Sequence, residues 1–135
     1  MIKYSVTDTP TLAVLQRRSE TFYLTGSRYF NTAYPTGEWD FFVRYSEKLM
    51  NDLVDIGFHE PTTGYPDCLT RLVLSKTENG IKYDIQLVTN PEIKKKVQSI
   101  IKEQHYEIPT DKVARATFWT LCFTLVLEGI KDDTV

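Results

Sequence analysis

Three carboxylates and one small-residue turn carry most of the chemical potential of this 135-residue chain. Glu38 and Asp40 stand two residues apart at the start of the apolar run 39–45. In an extended strand both would project to one face while Trp39 and Phe41 project to the other. Asp84 lies in a second apolar run, and its place follows from the Asn79-Gly80 pair just before it, a strong hairpin signal. A two-residue loop there pairs Glu78 with Ile81, Ser75 with Asp84 and Leu74 with Ile85. Leu72, Leu74, Tyr83, Ile85 and Leu87 then share one face, and Arg71, Ser75, Lys82, Asp84 and Gln86 share the other. Three carboxylates gathered on one sheet face repel unless a cation compensates them or one takes up a proton. A hard divalent ion such as Mg²⁺ suits such a site, because it prefers carboxylate oxygens and shares its remaining positions with water and phosphates. Metal-assisted phosphoryl chemistry is the expected class. Gly26-Ser27, at the end of another apolar run, offers backbone donors and a hydroxyl to phosphate oxygens, with Arg28 beside it as a cation.

The elements that must position these groups can be read in order. Leu12, Ala13 and Leu15 followed by Arg17-Arg18 predict a helix near the N-terminus. Residues 21–25, aromatic and β-branched, predict a strand running into Gly26, with a helical turn over 27–30. After the Pro35-Thr36-Gly37 loop comes the strand over 39–45. Ser46 then caps a helix whose apolar residues Leu49, Met50, Leu53, Val54 and Ile56 recur at helical spacing until Gly57. The hairpin follows, over 69–77 and 81–88. Asn90-Pro91-Glu92 opens a helix with the stripe Ile93, Val97, Ile100 and Ile101. Thr110-Asp111 opens a last helix, to about Gly129, apolar on nearly every side and therefore either central in the core or half of an interface. The expected fold is α+β: one domain over 1–135, a small mixed β-sheet with helices packed on one face, the other face left for a site.

The run from Leu24 through Gly26-Ser27 to Glu38-Trp39-Asp40-Phe41-Phe42-Val43, with Lys82-Tyr83-Asp84-Ile85 later, resembles the signature of the DNA polymerase beta-like nucleotidyltransferase superfamily. There Gly-Gly or Gly-Ser precedes Asp-x-Asp by about ten residues, and a third carboxylate stands on a later strand. The resemblance spans residues 12–88 and is to minimal, antitoxin-like members. It implies a nucleotidyltransferase-like fold and transfer of a nucleoside monophosphate from an NTP to a hydroxyl on a protein or RNA acceptor. It implies Glu38 and Asp40 as ligands of two Mg²⁺ ions, with Mn²⁺ as the alternative, and Asp84 as ligand and base-like group. It also implies Gly26 and Ser27, with Arg28 nearby, as phosphate contacts. The chain departs from the family at Glu38, usually Asp, and at Asn31, often Gly. Glu38 keeps the alternative open: a catalytically degenerate member that binds nucleotide or a partner as a regulator or inhibitor. A globular binding module without a nucleotide site is the third reading.

Composition sets the outer bounds. Sixteen basic and eighteen acidic residues give a net charge of −2, so no global positive field draws in nucleic acid. Cys68 and Cys122 have neither a CxxC spacing nor clustered histidines, which favours a reducing cytoplasm over a disulfide or zinc framework. The start of the chain lacks a signal peptide's apolar core, and no uncharged stretch is long enough for a bilayer, so a cytoplasmic protein without membrane contact is expected. Lys94-Lys95-Lys96 reads as a solvated helix face, Arg71 and Lys82 as surface charges, and His59 and His105 as structural or exposed. Tyr65, Tyr83 and Trp39 could stack on a base, with core packing expected for the last two. So small a chain leaves little room for an acceptor-choosing domain. A homodimer or a partner chain at the 110–129 helix, or a protein acceptor, would fill that role.

Overall fold

The computed structural model describes residues 21–30, 38–59 and 69–133. The helix expected near the N-terminus, Asn31, Tyr65 and Cys68 lie outside those residues. The described elements run β1 (Tyr23–Thr25), α1 (Gly26–Phe30), β2 (Trp39–Arg44), α2 (Glu47–Asp55), β3 (Thr70–Glu78), β4 (Ile81–Val88), α3 (Pro91–Glu103) and α4 (Lys112–Asp133). The strands form one mixed sheet in the order β1-β2-β4-β3. β2 and β4 are parallel at its centre, and β1 and β3 run antiparallel on its edges. The expected α+β class and small mixed sheet are what the chain forms.

Local chemistry accounts for the turns and caps. Asn79 and Gly80 both adopt positive φ, 53° and 77°, the backbone a two-residue turn needs to match the twist of its strands. The hairpin accordingly pairs Glu78 with Ile81, Ser75 with Asp84 and Leu74 with Ile85, as the turn predicts. The Ser46 hydroxyl accepts from the Leu49 N–H at 3.3 Å and caps α2. Asn90 Oδ1 accepts from the Ile93 N–H at 3.2 Å and caps α3, and Asp111 Oδ2 accepts from the Ala114 N–H at 2.9 Å at the start of α4. Each such cap satisfies a backbone donor that the helix itself leaves open and is worth ~1 kcal/mol.

The sheet is covered on both sides, which corrects the expectation of helices on one face. On one side α2 buries Leu49 and Leu53 against Phe41, Val43, Leu74, Ile85 and Leu87. On the other, α3 crosses over Phe42, with the Lys94 ammonium 5.3 Å from that ring. There α3 and α4 form a second core of Ile93, Val97, Ile101, Trp119 and Phe123. Phe41 and Phe42 are both buried although neighbours on a strand point to opposite faces, and that is possible only where both faces are packed.

Helix α4 is buried on one side and exposed on the other, so it is not central in the core. Trp119 and Phe123 enter the core, while Val113, Leu121, Leu125 and Leu127 are exposed. The helix also continues past Gly129 to Asp133. A lone glycine costs a helix only ~1 kcal/mol relative to alanine, which does not terminate it. Among the described residues no helix is long and apolar enough to cross a membrane.

Candidate metal and nucleotide site

The sheet register builds the site. Asp40 on β2 pairs with Thr25 on one side and Asp84 on the other, and Asp84 pairs in turn with Ser75. Thr25, Asp40, Asp84 and Ser75 thus form a row across the four strands. Glu38, one step before β2, shares Asp40's face, so the three expected carboxylates converge. One carboxylate oxygen from each of Glu38, Asp40 and Asp84 lies within 4.8 Å of the other two. Ser75 Oγ donates a short hydrogen bond to Asp84 Oδ1 and fixes that carboxylate in place.

Electrostatics show how strongly the three groups interact. Burial, reinforced by the charges of Glu38 and Asp84, pushes the Asp40 carboxyl up to about 7. A hydrogen bond with the Asp84 carboxyl, then burial and the Asp84 charge, holds Glu38 above its usual range. One cation moderates the cluster. Lys82, two residues before Asp84 on the same strand face, places Nζ 3.5 Å from Glu38 Oε1 and 4.0 Å from Asp84 Oδ2. Its charge leaves the deepest carboxyl, Asp40, short of compensation. This oxygen-only donor set suits a hard divalent cation.

Gly26 stands where it does for a steric reason. Its φ of +72° is the left-handed region, and a Cβ there would lie 2.9 Å from Asp40 Cγ and closer still to Oδ2. No real side chain tolerates that approach, and L residues avoid the backbone conformation as well. Gly26→Ala should therefore lower stability by about 1–3 kcal/mol and displace the Asp40 carboxylate. Urea denaturation measures the first effect, and an unchanged midpoint would show that the β1–α1 junction is not under this constraint.

The three acids line a cavity of about 500 Å³, within the usual range for small-molecule sites. Thr25 and Gly26 also line it, as do Gln86, Lys94, Ile108, Arg115 and Trp119. Gln86 is two residues beyond Asp84 on β4, about 7 Å along the strand. Lys94 Nζ donates a short hydrogen bond to Gln86 Oε1 and lies 5.5 Å from the Trp119 ring.

The remaining expected residues separate clearly. Ser27 lies in α1, but its side chain is outside the described part of the structure. Arg28 does not line the cavity; its guanidinium lies 3.8 Å from the Trp39 ring centroid, and Nε donates to the Glu38 carbonyl at 2.8 Å. It braces the backbone that carries Glu38. Arg71 is not with the acids either. The β3–β4 register shifts between Thr70 and Leu72, and the Arg71 guanidinium stacks 4.3 Å above Tyr45. Tyr83 is buried in the core and Trp39 packs against it, and both histidines are exposed. The three-lysine run divides, because Lys95 and Lys96 are solvated while Lys94 is only 2% exposed. Lys94 was legible in principle: with Gln98 and Ile101 it shares the inward stripe of α3, at helical spacing. No protein-family model, curated protein or solved structure matches the chain.

Proposed function

We propose that the protein is a metal-dependent nucleotidyltransferase, moving a nucleoside monophosphate from an NTP to a hydroxyl on a protein or RNA acceptor. The observation that carries this reading is the convergence of Glu38, Asp40 and Asp84 from two central strands to within 4.8 Å, against a glycine whose missing Cβ makes room for Asp40. Two Mg²⁺ ions bound by these carboxylates would polarise the α-phosphate and stabilise the attacking and leaving oxygens of an in-line displacement. The acceptor oxygen forms a bond to the α-phosphorus, the bridging P–O bond to the β-phosphate breaks, and pyrophosphate leaves with that electron pair. The hydroxyl proton passes to a carboxylate oxygen of Asp84, which Ser75 keeps oriented. Thr25 and Gly26 form the wall beside the phosphates, and the cavity's size suits one nucleotide.

A second reading, a degenerate member that holds nucleotide or a partner without transfer, is favoured by Lys82, a cation already seated between two of the three acids. Incubation with each α-labelled NTP, Mg²⁺ or Mn²⁺, and protein or RNA acceptors separates the two. Label on an acceptor supports transfer. Nucleotide binding without transfer supports the degenerate reading, and no metal-dependent binding of any NTP overturns both.

A further inference from the structure

We propose that Lys82 is a resident counter-cation of the acidic cluster, which an incoming divalent ion must displace, so that it sets the metal affinity of the site. This rests on the metal-site reading above and concerns how that site is loaded. Lys82 and Asp84 are two residues apart on β4 and therefore project to the same face. The ammonium reaches Glu38 at 3.5 Å and Asp84 at 4.0 Å, so it spans two of the three candidate ligands. Its side chain is 53% exposed. It can therefore leave for water without unpacking the core, and it can return when the divalent ion departs.

The competition follows from charge. A cation within about 4 Å of two carboxylates lowers the pull that those carboxylates exert on a second cation, and the ammonium must be moved before an ion can take the same oxygens. The arrangement also protects the metal-free fold, because Lys82 relieves part of the repulsion that burial leaves at the sheet face. Lys94, which lines the same cavity, donates a hydrogen bond to Gln86 Oε1.

The test is direct titration of Mn²⁺, followed by electron paramagnetic resonance, into wild type, Lys82→Met and Lys82→Arg, without nucleotide. Lys82→Met should bind Mn²⁺ about three- to tenfold more tightly, the scale expected for losing two partly screened charge contacts. Lys82→Arg, which keeps the charge, should stay near wild type. Circular dichroism of each variant confirms that it folds, as an exposed rim position should allow. Wild-type binding with no gain in Lys82→Met overturns this inference and leaves the metal-site reading standing. Absence of Mn²⁺ binding in every variant at millimolar concentration overturns both. A gain in Lys82→Arg equal to that in Lys82→Met also overturns it, because geometry and not charge would then be responsible.

Discussion

Asp84→Asn should lower nucleotidyl transfer by about 10²–10⁴-fold while leaving the fold intact. The size is that of losing a positioned proton acceptor, with weakened metal ligation adding to it. The replacement is close to isosteric, and an asparagine oxygen can still accept from the Ser75 hydroxyl, so the β3–β4 pairing at that position survives. Single-turnover transfer from an α-labelled NTP measures the chemical step, and thermal unfolding checks the fold. Transfer within twofold of wild type would remove Asp84 from the chemistry. The companion substitution Ser75→Ala leaves the carboxylate in place but frees it to rotate. It should therefore cost less than Asp84→Asn, which separates positioning from reaction.

How much of this was legible in the sequence depends on the residue. Asn79-Gly80 specifies its own turn, and from that turn the register places Ser75 opposite Asp84, as the hairpin forms it. Register could be counted because a two-residue turn with both φ positive admits a single pairing. Arg71 escaped the same counting because a bulge is a local break in the ladder, and nothing in Thr70-Arg71-Leu72 announces it. The two-sided packing was written in Phe41-Phe42-Val43, three consecutive apolar residues where a half-solvated strand would alternate. The mixed order of helices and strands does not carry that signal, and the polar face of the hairpin contributes Asp84 and Gln86 to a cavity wall.

The site divides in the same way. Glu38 and Asp40 could be placed on one face because strand alternation is rigid over two residues. Convergence with Asp84 required the parallel β2–β4 pairing, a long-range contact that no local pattern encodes. Lys94 and Trp119 entered the cavity through the packing of α3 and α4 on the sheet, and the run of three lysines disguised the one that is buried. Short-range stereochemistry was therefore readable, and tertiary pairing was not.

Asp40→Asn should change the pH dependence of stability in a direction that the carboxyl's environment dictates. Asp40 has its ordinary value of 3.8 when the chain is unfolded and is pushed up to about 7 when folded, by burial first and then by Glu38 and Asp84. Below pH 3.8 both states hold the proton. Between 3.8 and about 7 the folded state keeps a proton that the unfolded state has lost, so stability falls as pH rises, and above about 7 the loss is complete. In EDTA, the stability of wild type relative to Asp40→Asn should therefore decline from pH 4 to 7 and then level off. Glu38, raised in the same direction, contributes a residual slope in both proteins that the difference largely cancels. Divalent ions reverse the trend, because they bind the ionised carboxylates and release the proton. Added Mn²⁺ should stabilise wild type more at pH 8 than at pH 5, and should do little for Asp40→Asn at either. Urea midpoints at the two pH values, with EDTA and with Mn²⁺, measure all four terms. A flat difference in EDTA would mean that Asp40 is ionised in the folded protein throughout this range. Burial and the neighbouring charges would then be compensated without a divalent ion, and the electrostatic case for one would fail.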